Sequence, residues 1–277
     1  MNKNERGKFM KINIKDWVQT KKEEIQKTTQ NFTIPPRLLI MQIGDNPASN
    51  SYIKGKMKDA AECGIHADLY KTAEPWTAIQ FLRESVNRYD GIILQEPSGF
   101  TKENYNSFYR IISPTQDVDG FMKNSKHKQC TPQGIMDIID TFYPDQYLRD
   151  NIAVVIGRGE LVGKPLAAML IEKGLTVISC NSQTPNIAEF TKKADIVISA
   201  VGKEKLVTRD MLKDGAFVID AGITFDENGK LCGDCDKAMY NDDTIAITTV
   251  PGGVGLTTRL SLMQNTMAAF YARNSHV

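Results

Sequence analysis

At 277 residues the chain has room for two modest domains, each with its own core. A composition of 41% hydrophobic and 24% charged residues is that of an ordinary globular protein, and a net charge of +1 with no basic stripe argues against a polyanionic partner. Apolar runs such as Ile152–Ile156 and Ile196–Val201 are strand-sized and far short of the roughly 20 residues of a membrane span, and the polar start Met1–Ile12 lacks the apolar core of a secretory signal, so the expected location is cytoplasmic.

Leu38–Ile43 reads as the first buried strand. A helix is predicted over Asn50–Gly64, where a turn of roughly 100° per residue gathers Tyr52, Ile53, Lys56, Met57, Ala60, Cys63 and Gly64 on one arc. Ser51, Lys54, Lys58, Asp59 and Glu62 fall on the opposite, solvated arc, which leaves Lys56 as the single charge on the buried side, one turn from Tyr52. A lysine amine beside a phenol in apolar surroundings suits proton transfer, because burial favours the neutral amine. A lysine whose stem packs while its head reaches water gives the same pattern.

Gly91–Leu94 is the next strand, and Ser113–Asp117 with the polar stretch Lys123–Gln129 carries no periodic signal, so the domain boundary is placed there. A tighter rhythm follows, with strands at Ile152–Ile156, Thr176–Ser179, Ile196–Ala200 and Phe217–Asp220 separated by helix-sized segments. That beat predicts an α/β protein with mostly parallel sheets and a nucleotide-binding second half. Leu260–Tyr271 closes the pattern as an apolar helix.

Gly157, Gly159 and Gly163 follow a buried strand and open a helix, although the third glycine comes one residue late for the usual dinucleotide fingerprint. Glycines let a backbone approach a pyrophosphate, the helix N-terminus offers free N–H donors, and Pro165 suits a first turn; a tight turn without a ligand is the alternative. The next strand ends at Ser179-Cys180-Asn181-Ser182 with no acid for the ribose hydroxyls, so Arg158 and Ser182 are placed on a ribose 2′-phosphate, which favours NADP over NAD. Cys232-Gly233-Asp234-Cys235 has redox-like spacing, but it has no second pair and no nearby histidine; with Asp226–Lys230 as a turn it is placed after a surface hairpin, with no metal.

Six ordered segments now converge: Gly44-Asp45-Asn46-Pro47-Ala48-Ser49 leading to Tyr52 and Lys56; Gly91–Gln95; Asp117-Val118-Asp119-Gly120; Cys130-Thr131-Pro132; Gly157-Arg158 through Val162-Gly163-Lys164-Pro165; and Val250-Pro251-Gly252-Gly253-Val254-Gly255. From about Pro36 onward the chain resembles the bifunctional methylenetetrahydrofolate dehydrogenase/methenyltetrahydrofolate cyclohydrolase family. The resemblance implies a substrate-binding α/β domain (1–122 plus 257–277), a Rossmann-like NAD(P)-binding domain (123–256), an active-site cleft between them and a last helix packed on the first domain. It assigns Lys56 as the acid/base, Tyr52 as the stacking phenol, Gln95 as the amide on the amine and Asp119 as the pterin carboxylate, with Pro251, Gly252, Gly253 and Gly255 also on the folate. Gly157, Arg158, Gly159, Val162, Gly163, Ser182, Ala200, Val201, Gly202, Gly222 and Ile223 would line the cofactor, and a homodimer acting on tetrahydrofolate derivatives would be the working form.

The chain departs from the family pattern at Glu96-Pro97-Ser98-Gly99, Gly159, Asn181 and Leu256. Two rival expectations are a shikimate-dehydrogenase-like oxidoreductase, which shares the domain order, and a folate-binding protein without turnover. The glycine-dense 251–255 stretch and the Tyr52/Lys56 helix speak against the first.

Overall fold

The computed structural model describes residues 12–95, 102–143 and 150–274. They divide into two compact units, one of described residues between 19 and 130 and between 259 and 274, the other of those from 12 to 18 and between 131 and 258.

The chain opens with helix α1 (Ile14–Thr29), followed by strand β1 (Arg37–Ile43), helix α2 (Pro47–Glu62), strand β2 (His66–Thr72), helix α3 (Pro75–Ser85), strand β3 (Gly91–Gln95) and helix α4 (Lys102–Tyr109). The three strands form a parallel sheet in the order β2-β1-β3. The central strand β1 has no solvated face, which explains its unbroken apolar run. Leu38 and Ile40 project into a cluster with Ile53 and Ala60 of α2 and with Cys63 just beyond it. Leu39, Met41 and Ile43 project the other way, onto Ala78 and Leu82 of α3 and Phe108 of α4.

Leu262, Met263, Met267 and Ala269 of the last helix, α8 (Val254–Asn274), complete the first of those clusters, as the sequence leads one to expect. Helix α2 begins three residues earlier than predicted, at Pro47. Asp59, placed on the solvated arc, is in fact 4% exposed. Its carboxylate meets Lys22 of α1 and Arg259 of α8, two cations that the helical period of α2 alone does not reveal. Gly64, placed on the buried arc, is exposed, because the chain has already left the helix in a left-handed conformation there, at φ +69°.

Between α4 and α8 run helix α5 (Cys130–Phe142), strand β4 (Ile152–Ile156), helix α6 (Gly163–Glu172), strand β5 (Thr176–Cys180), helix α7 (Ile187–Thr191), strands β6 (Ile196–Ser199), β7 (Phe217–Asp220), β8 (Thr224–Phe225), β9 (Leu231–Cys232) and β10 (Ala246–Ile247). Five of these strands make a parallel sheet in the order β10-β7-β6-β4-β5, whose central strands are buried along their length. Strands β8 and β9 form a hairpin closed by the expected turn, with Asp226 N–H donating to Lys230 O at 2.9 Å. Cys232 lies within this hairpin and not beyond it. All five cysteines are free and buried, and no His/Cys/Asp/Glu group able to hold a metal occurs among the described residues. No helix among them is long and apolar enough to cross a membrane.

Candidate active site

Parallel sheets deliver the carboxyl ends of their strands to one edge, and most of the residues singled out in the sequence stand there. In the three-stranded unit Gln95 is the last residue of β3. Lys56, one turn past Tyr52 on α2, is 8% exposed and its Nζ donates to Gln95 Oε1 at 3.1 Å. An amide supplies an acceptor for the amine without adding charge, which is what a group that must both take and give a proton requires. Tyr52 is half-buried, and that burial raises its phenol above the ordinary value against the opposing charge of Arg259, so the ring keeps its proton. Residues 96–101, where the chain departs from the family pattern at Glu96, lie outside the described residues.

The two aspartates of Asp117-Val118-Asp119-Gly120 divide their work. Asp117, 1% exposed, builds the turn: its carboxylate accepts from Gly120 N–H at 3.2 Å and Met122 N–H at 2.7 Å. Asp117 thus acts as a local turn builder. Asp119 instead receives a hydrogen bond from the Cys130 thiol and feels the charge of Lys56. Burial pushes its carboxyl above the ordinary value, with Asp117 adding to the rise and Lys56 and the Cys130 thiol opposing it. Asn265 of α8 steadies the assembly by donating to Val118 O at 2.9 Å and Lys128 O at 3.2 Å.

In the five-stranded unit the chain reverses its direction of travel between β4 and β6, the crevice where α/β sheets bind nucleotides. Gly157 leaves β4 at φ +112°, and a Cβ there would lie 2.5 Å from Ala200 O at the end of β6. A Cβ on Gly163 would lie 2.0 Å from Gly157 O, so the late third glycine serves the same close approach of helix to turn as the regular fingerprint. Gly159 is exposed and has open space around it. Val162 precedes α6 without a side-chain cap; Lys164 N–H donates to Gly159 O at 3.0 Å and Pro165 has no N–H, so Gly163 is the first-turn residue whose N–H can meet an anion. A pyrophosphate fits this cradle.

Arg158 is exposed and donates to Ser179 Oγ at 3.2 Å and Ser179 O at 2.5 Å, which lays its guanidinium along the end of β5. Ser182 is exposed on the following turn, which Asn181 organises by accepting from Gln183 N–H at 3.2 Å. Pro251, Gly252, Gly253 and Gly255 follow β10 at the entrance to α8, with Pro251 and Gly252 exposed. Leu256, another departure, is half-buried in the first turn of α8.

Two buried carboxylates that sequence reasoning did not single out hold the remaining segments expected to line a cofactor. Asp234 is fully buried and accepts from Ser199 Oγ (2.6 Å) and from the backbone N–H groups of Val201 (2.8 Å), Gly202 (2.8 Å) and Lys203 (2.7 Å). Asp220 accepts from Gly222, Asp234 and Cys235 N–H at 3.0, 2.9 and 2.9 Å, and burial, its largest influence, raises its carboxyl. A Cβ on Gly222 would sit 2.1 Å from Asp234 Oδ1. Val201, Gly202 and Gly222 are thus arranged around one carboxylate, with Ala200 and Ile223 beside them in the chain. The signal was present in Cys232-Gly233-Asp234-Cys235, but its spacing drew attention to the sulfurs and away from the aspartate between them.

Comparison with known proteins agrees with this geometry. Residues 6–119 match the model of the tetrahydrofolate dehydrogenase/cyclohydrolase catalytic domain, and residues 129–274 that of its NAD(P)-binding domain. The chain is 37% identical to the bifunctional protein FolD of Streptococcus thermophilus, covering 95% of each sequence. Its fold superposes on the methylenetetrahydrofolate dehydrogenase/cyclohydrolase of Campylobacter jejuni with a TM-score of 0.86 at 32% identity, covering 96% of this chain and 99% of that one. A Trypanosoma brucei methylenetetrahydrofolate dehydrogenase-cyclohydrolase complexed with NADP cofactor and inhibitor gives 0.84 at 26% identity, covering 98% and 99%. These matches set aside the shikimate-dehydrogenase-like alternative, and with glycine turn, lysine–amide pair and paired aspartates in one chain, the protein belongs to the tetrahydrofolate dehydrogenase/cyclohydrolase family.

Proposed function

We propose that the protein oxidises 5,10-methylenetetrahydrofolate to the 5,10-methenyl cation with NADP and hydrolyses that cation to 10-formyltetrahydrofolate, with 1–122 plus 257–277 as the folate-binding part and 123–256 as the dinucleotide-binding part. The observation that carries this is the buried Lys56 amine on a neutral amide, within electrostatic reach of the Asp119 carboxylate. NADP, when bound, accepts a hydride from the one-carbon bridge. The bridge lies between two nitrogens whose lone pairs stabilise the product cation, so the first step asks the chain mainly for positioning. Hydrolysis asks for more. Water must lose a proton as it attacks, and one nitrogen must gain a proton as the ring opens; Lys56 takes the first and returns the second. Tyr52 offers a protonated ring for stacking, and Asp119 offers two oxygens to adjacent donors on the pterin.

The decisive assay follows absorbance of reduced nicotinamide and of the methenyl product after mixing protein, methylenetetrahydrofolate and either NADP or NAD. Reduction without decay of added methenyl substrate would remove the hydrolase, and silence in both assays with folate bound would favour a binding protein without turnover.

Three further outcomes are expected. Asp119→Ala should weaken folate binding roughly 10- to 100-fold, the worth of a lost charge-assisted contact, and leave NADP affinity unchanged; equal folate affinity in titration calorimetry would end the pterin assignment. Because burial raises the Asp119 carboxyl, acidification should weaken folate binding from a pH above the usual carboxylate value of about 4. Arg158→Ala should cost NADP more affinity than NAD, and equal losses would argue against a 2′-phosphate contact. The relatives support NADP through the T. brucei complex. A cytoplasmic homodimer completes the proposal, with light scattering as the test of the dimer.

A further inference from the structure

Asp59 raises a problem for the chemistry just described. It stands three residues after Lys56 on α2, so their Cβ atoms are neighbours at roughly 5–6 Å, and the two residues are 4% and 8% exposed. A carboxylate so close is a natural partner for an ammonium and would favour the charged amine. The Lys56 amine nevertheless donates to Gln95.

The reason lies on two other helices. Asp59 Oδ1 accepts from Lys22 Nζ of α1 at 3.1 Å, and Oδ2 accepts from Arg259 Nε of α8. Lys22 is shared with Glu62, one turn further along α2, and both partners hold its ammonium more firmly protonated against the cost of burial. Arg259 packs against the helix at Gly55, where a Cβ would come within 2.9 Å of its Nη1 and 3.2 Å of its Cζ and would push the guanidinium aside. Other described groups near these charges are Asp119 and the thiol of Cys130, with Asp117 and Tyr109 of α4 beside Asp119, Cys63 beside Asp59 and Lys22, and Tyr52 on α2 itself.

We propose that Lys22 and Arg259 act as positioning residues that occupy both oxygens of Asp59, so that Lys56 keeps a neutral amide partner and remains able to exchange its proton during hydrolysis. The role given to Lys56 rests on the function proposed above; the occupation of Asp59 does not. The two cations turn a carboxylate that would capture the catalytic amine into an anchor joining α1, α2 and α8.

The test is Arg259→Met, which keeps the stem and removes the charge. With one oxygen of Asp59 released, the acid limb of the cyclohydrolase pH profile should move to higher pH by about one unit, while the dehydrogenase profile stays in place. The pH at which Lys56 is half-labelled by fluorodinitrobenzene, read peptide by peptide by mass spectrometry, should move the same way. Adding Asp59→Asn should bring both readouts back towards wild type, since no carboxylate then remains to compete. An unmoved labelling curve in Arg259→Met overturns the proposal, and so does an equal loss of both activities with a fixed pH profile, which would mark the network as structural only. If Arg259→Met fails to fold, Lys22→Met and the neutral pair Asp59→Asn/Arg259→Gln carry the same comparison. Labelling uses no substrate, so an absence of hydrolysis in the wild type would overturn the proposed activity and leave the labelling curves to decide the role of Arg259.

Discussion

Lys56→Met is expected to abolish hydrolysis of methenyltetrahydrofolate, with a loss of about 10²- to 10⁴-fold, the range supplied by one general acid/base, while NADP affinity stays near wild type. Methionine matches the lysine stem in length and packs well, so the buried arc of α2 should hold its fold. What disappears is the amine that donates to Gln95 and is proposed to exchange a proton with the reacting water. Oxidation by NADP should fall less, because the hydride leaves with the help of the substrate's own nitrogens. The ratio of the two activities in one stopped-flow experiment is therefore the sharper readout. Retained hydrolysis would remove Lys56 from its role.

Asp234 carries the second large effect, in the other unit. Replacement by alanine leaves a hydroxyl and three backbone amides without their acceptor in a fully buried setting, and each such orphan costs about 1–3 kcal/mol. Asp234→Ala should accordingly be destabilised by several kcal/mol, visible as a lowered Tm. Asp234→Asn is the finer test, since it keeps the shape but points an N–H₂ at donors. For the asparagine variant we expect NADP affinity to drop at least tenfold, about 1.4 kcal/mol, with folate affinity within twofold. An unchanged NADP affinity beside a lowered Tm would make Asp234 a folding element with no bearing on the cofactor.

The contrast between Lys56 and Asp59 explains how far sequence alone could go. Lys56 is legible because its partner Tyr52 lies one turn away on the same helix, within reach of a periodicity argument. Asp59 is not, because its cations are 37 and 200 residues distant in the chain, and a carboxylate at helical spacing looks solvated until those partners are in place. The same logic separates the strands. The apolar runs that became β1, β4, β6 and β7 announce themselves, while β2 at the sheet edge spells His-Ala-Asp-Leu-Tyr-Lys-Thr, whose partial burial mixes polar and apolar residues. The loops around Ala200 and Gly222 could be marked from the family resemblance, but the buried anion that shapes them emerges only from backbone donors converging in space.

The last helix has a consequence for how the protein is made. Leu262, Met263 and Met267 belong to the same hydrophobic cluster as β1 and α2, and Asn265 grips a carbonyl 147 residues earlier in the chain. During synthesis, the strands and helices that carry Lys56 and Gln95 emerge early yet wait, with one sheet face uncovered, until the residues beyond 260 have been made. A ribosome stalled before that point would display an incomplete catalytic half, while the five-stranded sheet, whose strands end at Ile247, already has all its members. Chaperone occupancy along the nascent chain should accordingly persist on the earliest-made half and be released last there.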